Sequence, residues 1–161
     1  MENLIEYTKL GEGTFGSVFK VWDTQKLCSY ALKKFKPEED DDGQTCLDIA
    51  ESAIREIAFG VFLTDMGAPN LLPCLKVFAS DNLSMLFPML DHDLADGIDS
   101  KNYGSWSKAH GVVKGVLNAL AYMHAFKPPL MHRDLKPENI VLSPLGEPYL
   151  IDLGFTRFTK D

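Results

Sequence analysis

The stretch His132-Arg133-Asp134-Leu135-Lys136-Pro137-Glu138-Asn139 is followed along the chain by Asp152-Leu153-Gly154. Together they place an acid, a cation, an amide and a second acid in fixed order. Asp134 can accept the proton of an incoming hydroxyl group, and Lys136 can lie beside a transferring phosphoryl group. Asn139 and Asp152 offer hard oxygen ligands, which Mg²⁺ prefers. This set of side chains suits phosphoryl transfer from a Mg²⁺-bound nucleotide.

The same stretch resembles the catalytic loop and the metal-binding motif of the eukaryotic protein kinases. Lys136, two residues after Asp134, resembles the serine/threonine-specific pattern rather than that of the tyrosine kinases. The resemblance extends from Tyr7 to Phe158. It implies ATP and Mg²⁺ as cofactors and a protein hydroxyl as the phosphate acceptor. The residues that it implies here are Asp134 and Lys136 in catalysis and Asn139 and Asp152 at the metal.

Length and composition are those of one globular domain. The chain has 161 residues, of which 45% are hydrophobic and 24% charged. Its net charge of −7 argues against nucleic acid or an anionic membrane as a main partner. Apolar runs are too short to span a bilayer, the N-terminus lacks signal-peptide features, and the three cysteines show no CxxC spacing. We therefore expect a protein of the cytoplasm and/or the nucleus, with reduced thiols.

The order of extended and helical segments predicts an α+β fold of the protein-kinase type. Strands are expected at 7–10, 17–22 and 29–35, helices at 49–63 and 105–124, and hairpins pairing 71–79 with 83–87 and 140–142 with 149–151. The acidic run 38–42 is expected to lie in a solvated loop rather than at a metal site. We expect a complete small lobe in 1–87, with five antiparallel strands and one helix. A hinge in 88–93 and the start of a helical large lobe in 94–161 follow.

Helical spacing also predicts which side chains are buried. On the first helix the expected face holds Ile49, Ala53, Ile57 and Val61. On the second helix it holds Trp106, Ala109, Val113, Val116, Leu117, Leu120 and His124.

Gly11, Gly13 and Gly16 form a Gly-x-Gly-x-x-Gly pattern that alone could mark only a hairpin turn. A dinucleotide-binding fold would need a helix directly after the glycines, whereas residues 17–22 predict a strand. Strand, turn and strand favour the phosphate flap of a kinase, where glycine lets backbone N–H groups approach phosphate. The nucleotide-binding residues implied here are Leu10, Gly11, Glu12, Gly13, Thr14, Phe15, Gly16, Ser17 and Val18.

Lys33 and Glu56 are expected to form an ion pair. Ala31 and Lys33 share one face of a strand, so Lys33 can reach phosphates above an adenine packed on Ala31. Lys33 alone could be an ordinary strand lysine, and Glu56 alone could be an acid on a helix surface. The glycine-rich flap before Lys33 and the predicted helix after it favour the ion pair.

The stretch Ala53-Ile54-Arg55-Glu56-Ile57 resembles the signature helix of the cyclin-dependent kinases. That resemblance implies a cyclin-like activator, and Thr14 resembles their inhibitory phosphorylation position, or is a plain turn residue.

Residues 87–90 align with the gatekeeper and hinge of a kinase, with Phe87 as the gatekeeper. Pro88 lacks an N–H but keeps its carbonyl, so it can accept from the adenine amino group, and Leu90 can supply the donor. Asp93 lies where a ribose-binding residue is expected, and an acid at a helix N-terminus is an equal alternative. The resemblance adds Val141 to the nucleotide-binding set.

Two departures from the kinase pattern bear on activity. Leu153 replaces the usual phenylalanine, which is a mild change. Gly60 lies one helical turn after Glu56, where active kinases place a bulky residue of an internal apolar stack with Cys74, Leu153 and His132. A glycine there predicts a void and weak, partner-dependent activity, which leucine at this position is expected to raise.

After Asp161 the family pattern expects the rest of the activation segment and further large-lobe helices, so we expect the long helix to keep an exposed apolar face. Two alternatives to an active kinase stay open. One is a truncated module that binds ATP or a cyclin-like partner without turnover. The other is a nucleotide-binding fragment with no independent fold.

Overall fold

The structure is a computed structural model that describes residues 3–13, 16–39, 45–79, 83–100 and 105–159. Its elements in chain order are β1 (Leu4–Gly13), β2 (Gly16–Asp23), β3 (Cys28–Phe35), β4 (Pro37–Glu39), β5 (Thr45–Ile49), α1 (Glu51–Asp65), β6 (Lys76–Ala79), β7 (Leu83–Pro88), β8 (His92–Asp93), α2 (Leu94–Asp99), α3 (Trp106–His124), β9 (Leu130–Met131), a 3₁₀ turn (Pro137–Asn139), β10 (Ile140–Leu142), β11 (Pro148–Leu150) and β12 (Arg157–Phe158). No helix in these ranges is both long and apolar enough to cross a membrane.

Five strands form one antiparallel sheet in the order β1-β2-β3-β7-β6. Across it, Val18 pairs with Lys33, and Lys33 pairs with Met85. Lys33 therefore lies in the central strand, with a paired strand on each side. The expected five-stranded antiparallel sheet with one helix is confirmed.

Helix α1 begins at Glu51 rather than at residue 49, because Thr45–Ile49 pairs as β5 with β4. The expected loop around the acidic run is thus partly a two-stranded sheet, and residues 40–44 lie outside the described residues. The buried face of α1 holds Ala53, Glu56, Gly60 and Leu63. The predicted face was therefore wrong at Val61, which is 37% exposed, because the helix turns Glu56 toward the sheet.

The hairpin of β6 and β7 begins at Lys76, later than the predicted residue 71, and its turn at 80–82 lies outside the described residues. Leu71 forms instead an isolated parallel bridge with Leu150. Leu71 is 6% exposed and packs with α3, β10 and β11 in the largest apolar cluster. Because Leu71 is buried in that cluster, the segment before β6 does not pair with the sheet.

The buried face of α3 comprises Val112, Gly115, Ala119 and Met123. The predicted face was wrong at Trp106, Val113 and Leu117, which are 85%, 56% and 58% exposed. Its members Val116 and Leu120 are partly buried and pack against the core. Small residues determine which face of α3 is buried. A β-carbon at Gly115 would overlap the ring of Pro148 in β11, so only glycine allows α3 to approach β11 this closely. The expectation that α3 keeps an exposed apolar face is confirmed by the same three side chains.

Two glycines of α3 should respond oppositely to alanine. A β-carbon at Gly111 would meet no atom within 4 Å, whereas one at Gly115 would also lie 3.1 Å from Nδ2 of Asn70. We expect Gly111→Ala to stabilise the fold by up to about 1 kcal/mol through helix propensity. We expect Gly115→Ala to destabilise it by roughly 1–3 kcal/mol through overpacking. Urea unfolding of both variants checks this, and equal shifts would contradict the close approach of α3 to β11.

The chain thus has the expected α+β arrangement. A five-stranded antiparallel sheet with α1 comes first, and the long helix α3 with the short strands β8 to β12 follows. The stretch between β9 and β10 carries residues 132–139, and the stretch between β11 and β12 carries residues 152–154.

Candidate active site

Lys33 and Glu56 form the predicted ion pair. Nζ of Lys33 lies 2.6 Å from each carboxylate oxygen of Glu56. The side chains are 16% and 6% exposed, so the pair is largely shielded from water. Burial raises the pKa of Glu56, the positive charge of Lys33 acts in the opposite direction, and the charge of Asp152 adds to the rise. The symmetric contact is the one expected of an ammonium held by an ionised carboxylate.

Asp134 is held by two neighbours within its own loop. Nζ of Lys136 donates to Oδ2 of Asp134 at 2.8 Å. Nδ2 of Asn139 donates to the same oxygen and to the backbone carbonyl of Asp134, both at 2.8 Å. The hydrogen bond from Lys136 is the main cause that lowers the pKa of Asp134, and Asp134 in turn raises the pKa of Lys136. The carboxylate is therefore ionised and oriented at neutral pH.

Asn139 and Asp152 present a donor set that fits Mg²⁺. Both hydrogen bonds of the Asn139 side chain leave from its nitrogen, so its amide oxygen is the atom suited to a cation. Ile151 N–H donates to the Asn139 carbonyl at 2.9 Å, which brings the residue before Asp152 alongside Asn139. The described residues contain no group of three or more His, Cys, Asp or Glu arranged for a cation. Two protein oxygens suit Mg²⁺, which usually completes its shell with water and phosphate.

His132 joins the two loops that carry the acids. It is 2% exposed; its Nε2 donates to the Ile151 carbonyl at 2.9 Å and its Nδ1 accepts from Asp134 N–H at 3.3 Å. Burial lowers the pKa of His132, which favours this neutral form. Arg133 and Asp152 have φ values of 71° and 63°, a left-handed conformation uncommon for such residues. Sequence motifs gave no signal for this backbone geometry.

The buried, neutral His132 should make stability fall in mild acid. The folded pKa lies below the unfolded value of 6.5, so the unfolded chain takes up the proton first. The stabilisation is complete above that value and is lost as the pH falls through it toward the folded pKa. Urea unfolding of His132→Gln from about pH 8 to about pH 5 should give a flatter pH dependence than the parent. An unchanged slope in His132→Gln would refute this role.

The strands of the predicted phosphate flap are β1 and β2, and Gly13 pairs with Gly16 at their ends. Thr14 and Phe15 lie outside the described residues. Glu12 accepts from Lys36 at 2.6 Å and also bonds Lys9, and these bonds lower its pKa to about 2. A β-carbon at Gly16 would overlap the Lys34 carbonyl in β3. The glycine is therefore required for strand packing as well as suited to phosphate.

The residues predicted to contact adenine and ribose lie on paired strands. Ala31 pairs with Phe87 across β3 and β7, and Val141 pairs with Asp93 across β10 and β8. The Asp93 side chain accepts from Asp96 N–H at 2.8 Å and caps α2. The helix-capping alternative for Asp93 is thus observed, and its contact with ribose stays a prediction.

Met85 occupies the space that a side chain at Gly60 would enter, and Gly60 also lines a pocket of about 310 Å³ together with Leu63 and Leu153. A β-carbon at Gly60 would lie 2.7 Å from the terminal methyl of Met85 and 3.9 Å from Cβ of Cys74. Met85 is fully buried, with Phe35, Ala53 and Cys74 in the same apolar cluster. The sheet fills the position that the sequence pattern assigns to the helix.

Gly154 brings Glu56 and Asp152 together. A β-carbon at Gly154 would lie 3.2 Å from Oδ1 of Asp152 and 3.8 Å from Oε2 of Glu56. The backbone carbonyl of Gly154 also accepts from Nη1 of Arg55 at 2.7 Å. Arg55 is a residue whose contact the sequence motifs did not reveal. The helix that carries Glu56 is thereby joined to the predicted metal-binding motif.

A comparison with protein families agrees with this geometry. Residues 4–161 match the model of the protein kinase domain. The match covers nearly the whole chain and includes every side chain discussed above. Protein kinases are phosphotransferases that depend on positioned acids and cations of this kind. The chain therefore belongs to the protein kinase domain family.

Proposed function

We propose that the chain transfers the γ-phosphate of Mg²⁺-bound ATP to a serine or threonine hydroxyl of a protein. The observation that carries the proposal is the hydrogen-bonded set of Asp134, Lys136 and Asn139. It holds an ionised carboxylate beside a lysine ammonium. A lysine two residues after the acid supports the serine/threonine class.

Each charged group has a distinct part in this reaction. Asp134 accepts the proton of the substrate hydroxyl. At the same time the hydroxyl oxygen forms a bond to the γ-phosphorus, and the bond from that phosphorus to the β-phosphate oxygen breaks, which releases ADP. Lys136 stabilises charge on the transferring group, and Lys33 orients the α- and β-phosphates while Glu56 holds it. Asn139 and Asp152 would hold Mg²⁺, which neutralises phosphate charge when bound.

The nucleotide would lie between the flap and the strand neighbours of the hinge. Ala31 and Val141 would contact the two faces of the adenine. The carbonyl of Pro88 and the N–H of Leu90 would bond its edge. The ribose would meet the second carboxylate oxygen of Asp93, because the first caps α2.

Asp134→Asn is the decisive test of this reaction. The amide cannot take the proton, so we expect turnover on a generic serine/threonine substrate to fall by roughly 100- to 10,000-fold. Mg-ATP affinity should change far less than turnover, since the new amide keeps an oxygen that can accept from Nδ2 of Asn139. The matched control Asp99→Asn replaces an exposed acid at the end of α2 and should keep parental turnover. Full turnover in Asp134→Asn would overturn the proposal.

A second candidate function is that of a module that binds a cyclin-like partner through α1 without turnover. An exposed apolar stripe along α1 and the residue that caps its C-terminus favours it: Ile54 is 54% exposed, Val61 37%, Phe62 38% and Met66 52%. Such a stripe on one helix is typical of a protein contact surface. Phosphorylation by the purified chain, measured with and without a cyclin, separates the candidates. Cyclin binding without phosphorylation would support the module alone.

A further inference from the structure

We propose that Phe59 and Phe158 form an aromatic contact that holds α1 where Glu56 meets Lys33. They would be positioning residues, and the inference rests on the kinase function proposed above. Their ring centroids are 5.7 Å apart and the ring planes meet at 66°, an edge-to-face contact. This is a favourable geometry for two aromatic rings.

Phe59 lies on the helix so that its position affects Glu56 directly. It follows Glu56 by three residues, nearly one turn, and so shares a side of α1 with it. The ring is half-buried and packs against the apolar cluster around Leu63 and Leu153. An outward shift of α1 would remove Phe59 from both that cluster and Phe158.

Phe158 is tied to the strand that leads into the catalytic loop. In β12 it pairs with Leu130, and Arg157 pairs with Met131. The N–H of Thr159 donates to the Pro129 carbonyl at 2.7 Å. His132 follows β9 directly, so the aromatic contact connects α1 with the base of the loop that carries Asp134.

A second contact acts on the other side of Glu56. Arg55, the preceding residue, donates from Nη1 to the Gly154 carbonyl at 2.7 Å. Two attachment points on one helix restrict both its rotation and its translation. The residues 154–158 therefore hold the Lys33–Glu56 pair from within the chain. Neither attachment point involves Ile54 or Phe62 of the exposed stripe.

The test compares variants of the 161-residue chain. Phe158→Ala should lower kcat roughly 10- to 100-fold through misplacement of Glu56. It should also speed hydrogen exchange of the α1 amides, a readout that needs no activity. Phe158→Tyr keeps the ring and should restore both values. The control Trp106→Ala removes an exposed aromatic ring of α3 that lies in neither the predicted site nor the stripe on α1, and it should leave both values close to the parent.

The double variant Phe59→Ala/Phe158→Ala should be no worse than the more damaged single variant, because both remove one contact. Unchanged kcat and α1 exchange in Phe158→Ala, or an equal effect of Trp106→Ala, would overturn the inference. If Phe158→Ala does not fold, Phe158→Leu serves in its place under the same criteria. If the parent chain shows no phosphotransfer, the proposed function is wrong. Hydrogen exchange of the α1 amides would still test the role of the aromatic contact.

Discussion

Glu56→Gln is expected to lower turnover about 100-fold with little loss of folding stability. Glutamine keeps the volume and one hydrogen bond to Lys33 but removes the charge that holds both carboxylate oxygens at 2.6 Å from Nζ. Lys33 then samples several positions, and the phosphates lose their orientation. Steady-state kinetics with a serine/threonine substrate measures the effect.

The contribution of Glu56 to stability changes with pH in a defined direction. Burial raises the folded pKa of Glu56 above its unfolded value. The contribution of the group to stability is therefore present below the unfolded pKa and is lost as pH rises through the folded pKa. Glutamine does not ionise, so the variant avoids that loss at neutral pH. Urea unfolding at neutral pH should show a small change in either direction.

The control for this prediction is the other partner of the pair. Lys33→Met removes the ammonium and should leave an uncompensated buried carboxylate, with a loss of about 3 kcal/mol. Adding Glu56→Gln to Lys33→Met should recover part of that stability but no turnover. Parental kcat in Glu56→Gln would exclude an essential Lys33–Glu56 pair.

Gly60→Leu is expected to destabilise the fold by roughly 1–3 kcal/mol and to lower turnover. This is the reverse of the effect predicted from the motif alone. The leucine would enter space that the terminal methyl of Met85 already fills, 2.7 Å from the position of the new β-carbon. Its displacement would disturb the cluster beneath α1 and so the position of Glu56.

A double-mutant cycle with Met85→Ala isolates that contact. Met85→Ala alone should cost roughly 2–5 kcal/mol, because it opens a cavity in the core. The combination with Gly60→Leu should be more stable than Met85→Ala alone, since leucine fills the cavity, with a coupling of at least about 1 kcal/mol. Ala58→Leu, on the exposed side of α1, controls for added apolar volume. Higher turnover in the single Gly60→Leu variant would restore the void hypothesis.

The local chemistry of the site could be predicted because its groups are close in the chain. Asp134, Lys136 and Asn139 lie in one short loop, so their mutual contacts follow from residue order. Residue types predicted a strand on each side of the glycines. A strand after the glycines indicates a phosphate flap, whereas a dinucleotide-binding turn would be followed by a helix. The pairing of Lys33 with Glu56 was also predicted, but only through the resemblance.

Packing between distant segments was decided by the tertiary structure alone. The apolar residues of α3 offer more than one face, and the fit of Gly115 against Pro148 selects the buried one. Likewise Met85, from the sheet, fills the space at Gly60, and Phe158 meets Phe59 through the pairing of β12 with β9. Residue order and spacing determined the chemistry, because neighbours in a short loop cannot separate. Shape complementarity between remote segments determined which faces are buried, because periodicity specifies a helix but not the surface that it meets.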